Sequence, residues 1–246
     1  MKGRLSRLLP EDLVGKMWER NSLSGVSMFA SNPLQAQMCQ EWDEQWDGMV
    51  HNHNEDLLTQ CQSCPPRITL LVAALAFGRA LPIYERLMES KEVAAAHRDA
   101  FDQGRRKLNN WIYEDIKIDQ SLCQEVKFGF VLSFGSPLTG LFHAFSEQLI
   151  ELLGQIAEAS SGGGSFPIVF NFDIIRSMIG DKLKHGARVE DTLALAERLG
   201  SREAERQFQD VEQFKKGDSE ATDIFEKLFV QDHDLLGGET FQSLTK

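Results

Sequence analysis

The amino-acid sequence predicts an all-α fold, a mainly helical orthogonal bundle, and three observations favour it. The longest near-continuous apolar run, Ile68 to Met88, has no charged residue in its first eleven positions. Apolar residues elsewhere recur every three or four positions, which is the period of one face of a helix. Proline and glycine bound these segments where helices usually begin and end. Residues 128–134 and 166–172 leave room for one or two short strands.

The run from Ile68 to Met88 is predicted to be the core helix. Pro65 and Pro66 precede it, and proline is tolerated in a first helical turn because the amide hydrogens there have no helical partner. Its apolar residues cover most of the helix circumference, which indicates packing on several sides. Arg79 interrupts the run before the roughly 20 apolar residues that a membrane span needs. Gly78 and Pro82 are expected to kink or end the helix.

A second helix, from Leu34 to Val50, combines two tryptophans with four acidic residues. In one interpretation the tryptophans are core anchors and the acids form a solvated face. In the other, part of this face binds a partner, because tryptophan is enriched in binding hot spots. The residues predicted to bind a partner are Glu41, Trp42, Asp43, Glu44, Trp46 and Asp47.

Residues that could hold a metal follow this helix. His51 and His53 precede a short predicted helix, Glu55 to Gln60, and Cys61 and Cys64 form a CxxC. Thiolates and imidazoles are zinc ligands, but the second pair of a usual structural site is missing. A thioredoxin-type role needs a strand before the CxxC, and none is predicted. Ordinary turn or buried thiols are therefore preferred, metal and redox roles stay open, and no cofactor is predicted.

A long amphipathic helix is predicted from Lys91 to Ile116. The runs ALAFGRALPIYERLM and GRRKLNNWIYEDI resemble the opening helices of the YjaG-like domains, a bacterial all-helical family. Because that family has no established activity, the resemblance implies a helical fold and nothing about function.

The second half of the chain begins after a glycine- and serine-rich stretch. A helix opened by Ser136 and Pro137 runs to Ile156, and residues 160–165 then read as a flexible linker. The sequence thus predicts an N-terminal helical domain at 1–159 and a C-terminal subdomain at 166–246 packed on the first.

Short helices that stop at glycine are predicted in the C-terminal subdomain. A helix capped by Asp173 should stop at His185 and Gly186. Three more are predicted to follow, and the tail from Gln231 to Lys246 is expected to be loosely held. The three units are Val189 to Leu199 ending at Gly200, Ser201 to Lys216 ending at Gly217, and Ser219 to Phe229.

Composition restricts the classes of partner. The 246 residues carry 26 basic and 37 acidic side chains, a formal net charge of -11. Such a field repels phosphate backbones and anionic lipid and attracts basic proteins, so neither nucleic acid nor a membrane is an expected partner. Four cysteines and no apparent signal segment at the start of the sequence predict a cytoplasmic protein with reduced thiols.

No catalytic motif is present, so the chain is predicted not to be an enzyme. It contains no nucleophile elbow, HExxH, dinucleotide fingerprint or phosphate loop. In its acidic charge and helical character it is similar in general type to the immunity proteins of bacterial toxin and immunity pairs. That resemblance implies a protein that covers the cationic active surface of a toxin. The alternatives are a cryptic metal-dependent hydrolase using His51, His53, Cys61 and Cys64, and an effector chaperone or adaptor.

Overall fold

The predicted all-α class is confirmed. The computed structural model describes residues 33–90, 95–131, 140–160, 171–217, 220–231 and 234–236. Within these ranges the chain is 89% helical and contains no strand. The helices are α1 (Pro33–Cys61), α2 (Pro66–Ser90), α3 (Ala95–Glu114), α4 (Gln120–Val131), α5 (Gly140–Ser160), α6 (Phe172–Lys184), α7 (Val189–Lys216) and α8 (Ala221–Gln231).

Neither predicted strand is present in the described residues. Residues 128–131 form the end of α4, so a strand is wrong there, and residues 132–134 lie outside the described ranges. The apolar run belongs to a helix because Val126 and Phe130, one turn apart, are both buried. Residues 166–170 also lie outside the described ranges, as do residues 161–165 of the linker predicted at 160–165, whereas Ser160 is the last residue of α5.

Helix α2 is the centre of the bundle. Every residue from 69 to 80 is buried, and the helix packs against α5, α7 and α8. It continues through Pro82 to Ser90, so the expected end at this proline is not found. Packing on several neighbours outweighs the loss of about 3 kcal/mol that an interior proline causes in a helix. The helix is long and apolar enough to span a bilayer, but 78% of its apolar window is buried by the protein.

Helix α1 is continuous where the sequence suggested an interruption. The segment from His51 to Asn54 is helical, because His53 and Leu57 continue the buried face that begins with the tryptophans. The short separate helix predicted at Glu55 to Gln60 is therefore the last part of α1.

Helix α7 is also one helix rather than two. Gly200 does not end it, and its role is to allow α1 to approach. A Cβ atom at this position would lie 2.7 Å from Cη2 of Trp46, closer than packed atoms tolerate. Gly200 is therefore required by the close contact between α1 and α7. The sequence-based prediction that a helix ends at Gly200 was wrong.

Part of the C-terminal tail is firmly held. Leu235 and Leu236 are buried, and the Leu235 amide donates to the Arg79 carbonyl at 2.9 Å. The guanidinium of Arg206 donates to the Asp234 carbonyl at 2.9 Å. The expectation of a loosely held tail is thus wrong for residues 234–236.

Helices from both sides of the predicted linker pack together. Helix α1 contacts α7, α2 contacts α7 and α8, and α5 contacts α6. The division into two units stays a prediction.

A buried ion cluster joins α2 to α7. Arg79 donates to both carboxylate oxygens of Glu203, at 2.9 and 3.1 Å, and to Asp210 at 2.8 Å. Burial alone lowers the pKa of Arg79, but these two carboxylates raise it above its ordinary value. The guanidinium therefore stays charged in the interior, where its positive charge is compensated.

Three polar residues complete what we call the Arg79 cluster. The amides of Asn171 and Gln207 each donate to Glu203 at 3.0 Å, and Gln207 in turn contacts His53 at 3.0 Å. Asn171 has a left-handed backbone with φ of 76° and also donates to the carbonyl of Ala76. The start of α6 is thereby connected to both α2 and α7. The cluster consists of Arg79, Glu203, Asp210, Asn171, Gln207 and His53.

Replacing Arg79 should destabilise the fold strongly. In Arg79→Met the Glu203 and Asp210 carboxylates lose their buried cation, and we expect the free energy of unfolding to fall by about 3–5 kcal/mol. The matched control is Arg105→Met, because Arg105 pairs with Glu85 at 3.0 Å on the surface. That variant should lose less than about 1 kcal/mol. Urea denaturation measures both, and equal losses would contradict the structural role of the cluster.

The contact at Gly200 can be tested with a pair of alanine substitutions. Gly200→Ala gains helix propensity but drives a methyl group into the Trp46 ring, so a net loss of about 1 kcal/mol is expected. Gly48→Ala, on the exposed side of α1, meets no atom within 4 Å. It should stabilise the protein by about 0.5–1 kcal/mol. Thermal denaturation measures both changes in stability. If both substitutions raised the melting temperature, the close approach of α1 and α7 would be contradicted.

Candidate functional site

Five carboxyl groups from three helices converge on one side of the molecule, and we call them the acidic surface. Helix α6 packs against α5, and its Arg176 joins it to α1. The group comprises Asp43 and Asp47 of α1, Glu147 and Glu151 of α5, and Asp173 of α6.

The local sequence explains how each helix presents its acids. Glu147 and Glu151 are one turn apart on α5, so they share a face of that helix. Asp173 lies in the first turn of α6, where the helix dipole favours a negative charge. It is thus in the first turn of the helix and not at the capping position that the sequence predicted.

Arg176 neutralises part of the acidic surface. Its guanidinium contacts Asp43 and Asp47 through two different nitrogens, each at 2.8 Å. Asp43 is largely buried by this contact, whereas the side chain of Asp47 is 64% exposed. A guanidinium that bridges two carboxylates is a strong, directional arrangement.

The remaining acids repel one another. Desolvation by the surrounding protein, followed by the charges of Asp173 and Glu151, raises the pKa of Glu147 to about 7. Desolvation and the charge of Asp173 also raise the pKa of Glu151, although the amide of Gln155 donates to it at 3.1 Å. The repulsion between these carboxyl groups therefore involves α5 and the start of α6.

Asp173 connects the two ends of the acidic surface. Desolvation raises its pKa, Arg176 lowers it, and the charge of Asp47 on α1 raises it again. An added guanidinium or ammonium group here would relieve repulsion that the protein itself leaves in place.

The structure separates the predicted partner-binding residues into two groups. Trp42 and Trp46 are 4% and 3% exposed, and their rings stack with centroids 4.9 Å apart. Trp46 also meets Phe172 edge to face at 5.9 Å. The indoles are thus core anchors and do not form a surface on α1.

The exposed members of that prediction are acidic. Glu41 and Glu44 are exposed, and each accepts a hydrogen bond from a glutamine one turn earlier, at 2.8 and 3.2 Å. Together with Asp47 they continue the negative charge along α1. Their binding role stays a prediction.

Sequence reasoning missed Glu147, Glu151 and Asp173 as members of one site. The local signal was a pair of acids one turn apart on a helix with a long apolar face.

The residues of the metal hypothesis do not form a ligand set. His53 is buried and bonds to Gln207, whereas His51 is exposed and contacts Glu55 at 3.4 Å. Cys61 is buried and Cys64 is half-buried at the turn between α1 and α2. Throughout the part of the chain that the structure describes, no three histidine, cysteine or acidic side chains are arranged to hold a metal.

Glu147 predicts a measurable pH dependence of stability. Because its pKa is raised from 4.5 to about 7 in the folded protein, the folded state binds this proton more tightly than the unfolded state does. This contribution to stability is complete below pH 4.5 and is lost as the pH rises to about 7. Relative to Glu147→Gln, the wild-type protein should lose about 2–3 kcal/mol over this range.

Urea denaturation at successive pH values measures this difference. Glu197→Gln, which removes an exposed acid of α7 outside the acidic surface, is the control. If both variants gave the same pH profile, the crowding of Glu147 would be disproved.

Comparison of the chain with protein-family models, with curated proteins and with solved structures found no match.

Proposed function

We propose that this chain is a non-catalytic binding protein that neutralises or sequesters a basic protein partner through the acidic surface. Its most specific form would be a cytoplasmic bacterial immunity protein that inhibits a cognate toxin. The observation that supports it is the convergence of Asp47, Glu147, Glu151 and Asp173, three of which have raised pKa values.

Electrostatic attraction would increase both the association rate and the affinity of such binding. A net charge of -11 steers a basic protein toward the chain and accelerates encounter at low salt. A cationic side chain from the partner relieves the mutual repulsion of the carboxylates, so binding lowers their pKa values and releases protons. Affinity should therefore fall with rising salt and with falling pH.

Arginine is the side chain that best fits this surface. Arg176 already bridges Asp43 and Asp47 with two contacts of 2.8 Å each. Glu147, Glu151 and Asp173 offer carboxylates of the same kind to an arginine from outside. The same charge distribution disfavours nucleic acid and anionic lipid.

Co-expression with the basic product of the neighbouring reading frame tests the proposal. If that product is a toxin, the wild-type chain should restore growth and co-purify with it. Failure of both, together with turnover of a substrate by the isolated chain, would overturn the binding function.

The surface itself can be tested by charge neutralisation. The variant Asp47→Asn/Glu151→Gln/Asp173→Asn should bind the partner about 10–100-fold more weakly, because the partner's cations lose their carboxylates. The control, Glu190→Gln/Asp191→Asn/Glu197→Gln, removes the same charge from exposed sites on α7. It should change affinity by less than about threefold. Calorimetric titration measures both affinities. Equal losses of affinity in the two variants would show that binding depends on the total charge of the chain and not on the acidic surface.

A chaperone or adaptor is the second candidate, and one groove favours it. A cleft of about 330 Å³ between α2, α3 and α8 has a largely apolar lining that includes Leu81, Tyr113 and Phe229. Tyr113 is 49% exposed at its edge. A partner that binds in this groove should still bind the triple variant of the acidic surface. It should no longer bind the Tyr113→Asp variant.

A further inference from the structure

Two cysteines flank the turn that joins α1 to α2. Cys61 is the last residue of α1, and Cys64 precedes the two prolines at which α2 begins. The amide of Cys64 donates to the carbonyl of Cys61 at 2.8 Å, which closes a four-residue turn. In such a turn the end Cα atoms lie within about 7 Å, and disulfides span about 4.4–6.8 Å between Cα atoms. The backbone therefore holds the two residues at a separation that a disulfide can bridge.

The two thiols differ in access. Cys61 is 6% exposed, whereas Cys64 is half-buried and can be reached from solvent. Burial raises the pKa of Cys61, a hydrogen bond with Thr69 lowers it, and the charge of Cys64 raises it again. The electrostatic influence of one sulfur on the other is consistent with their closeness. We therefore expect the Cys64 thiol to react first with a disulfide in solution, and the buried Cys61 thiol to react second.

The other cysteines provide an internal comparison. Cys39 in α1 and Cys123 in α4 are both buried, and neither belongs to a turn with a second cysteine. Because access to solvent governs thiol chemistry, these two thiols should react more slowly than Cys64.

We propose that Cys61 and Cys64 are a redox modification site that forms a reversible internal disulfide by exchange with a low-molecular-weight disulfide such as oxidised glutathione. The Cys64 thiolate attacks one sulfur of oxidised glutathione and expels a glutathione thiolate. The Cys61 thiolate then attacks the Cys64 sulfur of the mixed disulfide and expels the second. Two cysteine thiols lose two protons and two electrons, and one glutathione disulfide is reduced to two thiols.

The small ring that a disulfide between Cys61 and Cys64 would close makes this bond easy to form and to reduce reversibly. Only two residues separate the cysteines, so the disulfide restricts the unfolded chain little and adds little stability. Strained or accessible disulfides are the labile ones, and such bonds in reducing compartments serve as sensors. The bond would join the last residue of α1 to Cys64, two residues before α2 begins, and would thus close the turn between the two helices. This inference is independent of the acidic surface.

Mass spectrometry of the full chain tests the site. The reduced protein is incubated with mixtures of reduced and oxidised glutathione, quenched in acid and alkylated. We expect the intact mass before alkylation to fall by two hydrogen atoms. After alkylation the oxidised chain should carry two labels fewer than the reduced chain, with the bond mapped to the peptide that carries Cys61 and Cys64. Returning the protein to reduced glutathione should restore both thiols.

Variants separate the two steps. Cys64→Ser should remain without glutathione, and Cys61→Ser should stop at a mixed disulfide on Cys64. Cys123→Ser should behave as the wild type does, and circular dichroism checks that each variant is folded. The proposal is overturned if wild-type Cys64 retains glutathione without closing the ring, if all cysteines stay reduced, or if another pair is linked. The wild-type result decides the question even where a variant fails to fold.

Discussion

The buried cation Arg79 sets the geometry of the structure. It lies in the most deeply buried helix, where an uncompensated charge would cost several kcal/mol. Glu203 and Asp210 of α7 supply the compensation, so α7 must cross α2 with these carboxylates aimed at the guanidinium. Apolar packing alone does not impose such a restriction, because hydrophobic contacts are not directional. Helix α7 is thereby oriented by charge as well as by packing.

The acidic surface depends on the same arrangement. Asn171 donates to Glu203 and to a carbonyl of α2, which fixes the start of α6. The next residues of that helix carry Asp173 and Arg176 outward, toward α5 and α1. The buried charges of Arg79, Glu203 and Asp210 compensate one another, whereas the acidic surface has more carboxyl groups than Arg176 can pair with. This contrast is the physical basis for proposing that the surface binds a partner and that the interior cluster supports the fold.

The contact between α1 and α7 completes the site. Trp46 packs over Gly200, and this close approach positions α1 so that Asp43 and Asp47 reach Arg176. The tryptophans on α1 therefore contribute to the candidate site indirectly. They hold in position the acidic residues on the neighbouring face of their own helix, while the opposite end of α1 carries Cys61.

Local patterns in the sequence determined the helical class, the core role of α2, the long helix α5 and the end of α6 at His185. Each of these follows from residues within a few turns, where periodicity and capping act. Tertiary structure alone decided that Pro82 and Gly200 lie inside continuous helices, because packing outweighs backbone preferences of about 1–3 kcal/mol. It also decided the site. Asp47, Glu147 and Asp173 are far apart in sequence, and no local preference encodes their convergence, which arises only when α1, α5 and α6 pack around a shared core.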